Sequence, residues 1–363
     1  MSLRGGDEGA RRLGEKLVRE VEVEGLSEIF KALREMEDRK GRITENDTAR
    51  TPRNIFGIKE LDALIQNEEP SIVELVSPPP THHFSGAGKT SLLYLLIAHA
   101  ILPPTFSSNI PLPGLDTAII LFDPLSHFSV TRLTTILLAT LKSASATANH
   151  SLPPAHDLTA IIHRSLQHVH IFRPSSWPSL LATLKTLPDT HLFSFAAHKS
   201  AHKRIHSLIL DDADAFLPTI RSSTASSSSA AATSSSATSN LTNASTLLTH
   251  HLRNLTTLLS CTAILTSSSV SPGLFRPGLP LSWPVGSHVT RLAVRRVDVV
   301  PFAPQSSVEE AERERAQRWE VVARRRFECW KVGGSGGQEG GEGFVFWVGE
   351  AGVGVGVGVG EVL

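Results

Sequence analysis

From about residue 54 to residue 300, short apolar runs alternate with longer stretches in which apolar residues recur at helical spacing. Ile72-Val73-Glu74-Leu75-Val76, Ala118-Ile119-Ile120-Leu121-Phe122, Leu208-Ile209-Leu210 and Ala263-Ile264-Leu265 are nearly continuous in apolar character. Continuous hydrophobicity, in place of strict alternation, marks strands covered on both faces, as in parallel sheets. The pattern predicts strands over 72–77, 117–123, 167–173, 207–212 and 262–266, and helices over 90–101, 129–142, 176–187 and 245–259. Their alternation predicts an α/β fold, a mostly parallel sheet with helices on both faces. Ligands of such sheets bind at the carboxyl ends of the strands.

The flanks read differently. Residues 1–53 are rich in Arg, Glu and Asp, with a partial apolar stripe from Leu17 to Leu33, and predict a charged helical arm. Residues 222–246 are almost wholly Ser, Ala, Thr and Asn, which predicts a disordered low-complexity insertion in the 54–300 core. The polar stretch 143–156 and the Gly-Val tail 352–360 read as dispensable to the core. Residues 301–363 form a divergent C-terminal part, in which Phe344-Val345-Phe346-Trp347-Val348 predicts a last strand.

With 363 residues and 40% hydrophobic content, the chain can bury one substantial core. Lys plus Arg and Asp plus Glu both number 35, which excludes a global basic footprint for nonspecific nucleic-acid binding. Cys261 and Cys329 form neither a zinc spacing nor a disulfide framework, which points to a reducing compartment, cytosol or nucleus. The apolar stretch from Leu92 to Leu102 is short and broken by His99, and residues 1–20 are charged, so no membrane span or secretory leader is expected.

Candidate chemistry concentrates where the first predicted strand meets the first predicted helix. Ser85-Gly86-Ala87-Gly88-Lys89-Thr90-Ser91 is a glycine-rich turn ending in Lys-Thr, placed between the two. Glycines let successive backbone N–H groups point at a phosphate, the lysine reaches the β and γ phosphates, and the threonine hydroxyl faces Mg²⁺. The nucleotide-binding P-loop pattern is incomplete, because His83 stands where it wants another glycine and Pro78-Pro79-Pro80 stiffens the approach. The run Leu208-Ile209-Leu210-Asp211-Asp212 supplies a buried strand ending in carboxylates, of which Asp211 is the candidate Mg²⁺ partner beside Thr90.

Between these motifs, Asp123-Pro124-Leu125-Ser126-His127-Phe128 followed by Arg132-Leu133 resembles the turn after the second strand of the RecA-like recombinase family. Gly57-Ile58-Lys59-Glu60-Leu61-Asp62 resembles the lead-in to that family's core, and Gly349-Glu350-Ala351-Gly352-Val353 resembles the closing segment of its eukaryotic paralogues of the X-ray-repair cross-complementing type. The resemblance implies a RecA-like P-loop NTPase core that binds ATP and Mg²⁺. It further implies a nuclear DNA-repair role in homologous recombination, within a heteromeric complex of recombinase paralogue subunits acting on single-stranded or branched DNA.

Two departures bear on activity. Where the family carries the water-activating glutamate this chain has Leu125, which implies a degenerate ATPase with little hydrolysis. Ser267-Ser268-Ser269 replaces the carboxamide that senses the γ-phosphate. Two other classes stay open on the residues alone, a DNA-independent ATPase or small-molecule kinase and a nucleotide-free structural adaptor. His198, His202 and His206 recur every four residues, but with Lys199, Lys203 and Arg204 interleaved they read as a basic connector before the acidic strand rather than a metal site. The arginines and glutamates from Arg291 to Arg326 read as a salt-bridged surface helix and its flanks, with Trp319, Phe327 and Trp330 packing near the last strand.

Overall fold

A computed structural model describes residues 55–65, 72–79, 87–106, 110–149, 153–192, 200–222, 234–271, 275–284, 287–297, 305, 307–323, 326–333, 343–349 and 352–357, with backbone alone for 234–239, 316–323 and 356–357. The expected helical arm over 1–53, the loop residues Ser85 and Gly86, and His198 lie outside the described residues. The sheet belongs to one compact unit, Arg50–Thr257 with Cys261–Leu363.

In chain order the elements are α1 (Lys59–Ile65), β1 (Ile72–Ser77), α2 (Lys89–Ile101), β2 (Thr105–Phe106), β3 (Ile110–Pro111), β4 (Ala118–Phe122), α3 (Val130–Thr147), α4 (Ala155–Leu166), β5 (Val169–Phe172) and α5 (Trp177–Leu187). There follow β6 (Ile205–Leu210), α6 (Leu217–Ser222), α7 (Ser234–Leu259), β7 (Thr262–Ser268), β8 (Val289–Arg296), α8 (Val308–Ala323), β9 (Arg326–Lys331), β10 (Gly343–Val348) and β11 (Val353–Val357). Nine strands form one sheet in the order β11-β10-β9-β8-β1-β7-β6-β4-β5. The six from β8 to β5 run parallel, and β9, β10 and β11 continue the sheet antiparallel.

From β1 the chain crosses by α2 to β4 and then outward to β5, and it returns through β6 and β7 to β1. Right-handed crossovers put the outward helices α2, α3 and α4 on one face and the returning helices α5 and α7 on the other. The first face is packed by Leu92, Leu96, Leu133 and Leu137 against Val73, Ile119, Leu121 and Ile209. Leu208 and Leu210, alternating with Ile209 along β6, are fully buried toward the second face. Local signals set the helix starts. Ser129 caps α3 by accepting from Arg132 N–H at 3.3 Å, and Ser176 caps α5 by accepting from Ser179 N–H at 3.3 Å. Ser307 and Glu310 close a reciprocal capping box at α8, at 3.2 and 3.1 Å.

The structure corrects three expectations from composition. Residues 143–147 complete α3, with Ser145 buried, and 155–156 open α4, so these parts of the stretch belong to the framework. α7 begins at Ser234, so the second half of the expected insertion 222–246 is helical, with Ala244 and Ser245 buried and Ser245 Oγ donating to Pro280 O at 2.6 Å. Small side chains lose little rotamer freedom, and Leu248, Leu252 and Leu255 carry the helix into the core. The Gly-Val tail supplies β11, with Gly354 under the Trp347 ring, where a Cβ would collide. β9, from the C-terminal part, pairs directly with β8. Among the described residues, no helix is long and apolar enough to cross a membrane.

Candidate functional site

The carboxyl ends of β1, β7, β6 and β4 meet the amino end of α2, and the chemistry-bearing side chains collect there. β1 ends at Ser77 and α2 starts at Lys89, whose ammonium donates to Ser77 Oγ at 2.6 Å. Gly88 precedes α2 with φ 92°, a left-handed conformation that favours glycine. A Cβ there would stand 2.7 Å from the Phe327 ring and 3.0 Å from the Phe346 ring, which stack on each other at 5.2 Å. The antiparallel strands β9 and β10 thus press against the turn that opens α2. Ala87 and Ser91 flank Lys89 and Thr90 in this turn and first helical residues.

Asp211 follows β6 directly and is 1% exposed. Thr90 Oγ1 donates to its Oδ2 at 3.3 Å, and Thr266 Oγ1, from β7, donates to its Oδ1 at 2.6 Å. The residues expected to share Mg²⁺, Thr90 and Asp211, are therefore hydrogen-bonded neighbours although 121 positions apart in sequence. Asp212 adopts a left-handed φ of 56° and donates its N–H to Thr266 Oγ1 at 2.8 Å. Asp214 Oδ2 accepts from Ser268 N–H at 3.0 Å.

Burial dominates the electrostatics. It lowers the Lys89 pKa, although Asp212, Asp214 and Asp211 all pull it upward. Burial and then the neighbouring Asp212 push Asp211 up to about 6, against hydrogen bonds from Thr266 and Thr90 and the charge of Lys89. Asp214 is raised, again mainly by burial. One ammonium facing three carboxylates does not suit a bare polyphosphate. It suits a polyphosphate that arrives with a divalent cation, and Mg²⁺ uses one or two protein oxygens plus phosphate and water oxygens. Among the described residues no group of three or more His, Cys, Asp or Glu is arranged as a metal cage. The donor set of Thr90 and Asp211 beside Lys89 has the oxygens that would fit a cation carried in by a polyphosphate.

The turn after β4 shows what each of its acidic and apolar positions does. Asp123, 1% exposed, accepts from His127 N–H at 2.9 Å, Phe128 N–H at 3.2 Å and Arg173 Nε at 3.3 Å. Its carboxylate is thereby committed to holding the turn. Leu125 is 44% exposed and has no group to accept a proton. Tyr94 stacks on Phe128 at 4.7 Å, and its hydroxyl accepts from Ser129 N–H at 2.7 Å, fixing the turn to α2. His127 Nδ1 lies 3.4 Å from Asp212 Oδ2, which joins this turn to the acidic one.

Ser77, Thr266, Asp214, Tyr94 and Arg173 escaped the sequence reading. For the first three the available signal was position, since each lies at or just beyond the carboxyl end of a predicted strand. The histidines are distributed otherwise than their spacing suggested. His206 lies in β6 and bonds Ile55 O at 2.7 Å, while His202 stands in the preceding turn, edge-on to His168. A second histidine group, unseen in sequence, gathers around buried Ser200, which bonds His168 and His170 at 2.9 Å each, with His191 Nε2 3.1 Å from His170 Nδ1. Among the described C-terminal residues, the contacts of Arg295 and Trp330 stand out. Arg295 pairs with Glu328 at 3.1 Å and lies over the Trp330 ring, and Trp330 meets Phe275 edge-on.

A separate open groove of about 840 Å³ runs between α1, α3 and the C-terminal strands, lined by Ile58, Leu95, Ile136, Trp347 and Val353 among others, and Lys89 and Asp211 are not part of it. No protein-family model matches the chain, and no curated protein aligns with it significantly, so the chemistry of the site stands on its own residues and geometry.

Proposed function

We propose that the chain is a RecA-like recombinase paralogue with a degenerate P-loop, binding ATP with Mg²⁺ and hydrolysing little of it. In this reading it is one subunit of a heteromeric paralogue complex in the nucleus, assisting double-strand break repair by homologous recombination on single-stranded or branched DNA. The observation that supports nucleotide binding is the convergence of half-buried Lys89, at the amino end of α2, with the Thr90–Asp211 pair at the carboxyl ends of the central strands. The repair role is supported by the resemblance of the Asp123–Leu133 turn and the flanking motifs.

Lys89 exchanges its Ser77 partner for phosphate oxygens, and the N–H groups at the start of α2 point at the same place. Thr90 and Asp211 would hold Mg²⁺ arriving with the nucleotide, and the ion would supply charge neutralisation for the phosphates. Low hydrolysis follows from Leu125 and from the engagement of Asp123, which leave the turn after β4 without a carboxylate to orient water. Nucleotide then acts by stabilising the folded subunit and its interfaces.

The test is Mg-ATP binding and turnover by the purified protein, wild type beside Lys89→Ala, with and without single-stranded DNA. Binding lost in the variant, with turnover slow in the wild type, is the expected result. Rapid Lys89-dependent turnover without DNA or a partner identifies an active ATPase or kinase instead, and no binding by the wild type leaves a structural adaptor.

A further inference from the structure

We propose that Thr266 is a positioning residue that sets Asp211 for a divalent cation and ties β7 to the state of the nucleotide site. The inference deepens the nucleotide-binding reading and rests on it.

Thr266 is wholly buried, and its hydroxyl has one possible arrangement of partners. The Asp212 amide can only donate, so it takes a lone pair of Oγ1 at 2.8 Å. The hydroxyl proton is then directed to Asp211 Oδ1 at 2.6 Å. Asp211 Oδ2 meets the other hydroxyl, Thr90 Oγ1 from α2. Its plane is therefore fixed from two sides, by β7 and by the start of α2. A carboxylate beside Asp212 would otherwise be free to turn away from this like-charged neighbour.

The same strand end is stitched to the acidic turn at further points. Ala213 N–H donates to Thr266 O at 2.8 Å, Ser268 N–H donates to Asp214 Oδ2 at 3.0 Å, and Gly278 N–H donates to Ser268 O at 3.1 Å. A shift of Asp211 toward a cation is thus felt by β7 and by the segment after it. Ser267, Ser268 and Ser269 supply no carboxamide at this strand end, and Thr266 makes the connection one residue earlier through the metal-side carboxylate.

The experiment measures binding of a fluorescent ATP analogue across a Mg²⁺ titration and, separately, in EDTA, for wild type, Thr266→Val, Thr266→Ser and Lys89→Ala. Valine keeps the volume and removes the hydroxyl, while serine restores it. In Thr266→Val the Mg²⁺ concentration for half-maximal binding rises about tenfold, as for the loss of a partner that orients a metal ligand, with binding in EDTA unchanged. Thr266→Ser stays within about twofold of wild type because it keeps the donor. A Mg²⁺ dependence in Thr266→Val equal to wild type overturns the proposal. So does an equal loss with and without Mg²⁺, which marks a purely structural residue. Wild-type binding that does not depend on Mg²⁺ overturns this inference alone, whereas absence of analogue binding by the wild type under either condition overturns the nucleotide-binding reading and this inference with it.

Discussion

Glu74 sits in the middle of β1 and is 2% exposed. Its Oε2 takes Arg291 Nε and Nη2 at 2.9 and 2.7 Å, and its Oε1 takes Trp283 Nε1 at 3.0 Å. Removing the carboxylate leaves a half-buried guanidinium and a half-buried indole N–H without this partner. Glu74→Ala is expected to cost about 1–3 kcal/mol in urea denaturation, the scale of losing hydrogen bonds to a charged group. Asp62 poses the opposite problem. It is 4% exposed, and its Oδ1 accepts from Phe56 N–H at 2.8 Å, while Oδ2 has no hydrogen-bond partner among the described residues. Burial raises its pKa from 3.8 to about 6. The folded state therefore binds the proton more tightly than the unfolded chain does. The stability this supplies is complete below pH 3.8 and is lost as the pH rises through about 6. Asp62→Asn keeps an acceptor for Phe56 without the charge. It is expected to gain about 2 kcal/mol at pH 7.5 relative to wild type, a gain that shrinks toward zero near pH 4 in paired denaturation curves.

At the scale of elements, the C-terminal strands do more than extend the sheet. Phe327 in β9 and Phe346 in β10 occupy the space that a side chain at Gly88 would need, so these strands set the start of α2 and with it the position of Lys89. β11 covers β10, and Val353 and Val355 pack against the main core. A chain ending at Gly349 lacks this strand and leaves β10 as an edge with Trp347 uncovered. Its melting temperature is expected to fall by several degrees, about 1–3 kcal/mol in stability, and its nucleotide affinity to fall with it, as measured by thermal denaturation and analogue binding. α7 shows a complementary case, a helix whose Ser, Thr and Ala turns are recruited by leucines further along.

For the molecule as a whole, balanced charge leaves no global field to attract a polyanion, and one lysine stands against three aspartates at the candidate site. The nucleotide binding proposed above would therefore depend on the accompanying cation and on the backbone at the start of α2. Much of this was legible in sequence. The continuous apolar runs marked the four inner parallel strands β1, β4, β6 and β7, because a strand covered on both faces is apolar along nearly its whole length, while β5, at the sheet edge, alternates with His170 and is half-buried. The Gly88-Lys89-Thr90 turn and the Asp211-Asp212 strand end were legible because phosphate and metal chemistry restricts residue type at close spacing. Strands β8 and β9 were not. Their Arg291, Arg295 and Arg296 read as surface, yet they sit in a strand, where Arg291 pairs with buried Glu74 and Arg295 with buried Glu328. Helix α4 and strand β11 were hidden for a similar reason, since polar or repetitive composition says nothing of the neighbour that will cover it. The sequence by itself determined the α/β class, the strand–turn–helix order and the residue types at the candidate site, all set by local patterning. Only the tertiary structure decided that Thr266 holds Asp211, that Asp123 is committed to its own turn, and that phenylalanines from the C-terminal strands seat Gly88, because contacts between distant segments arise from the order of strands in the sheet.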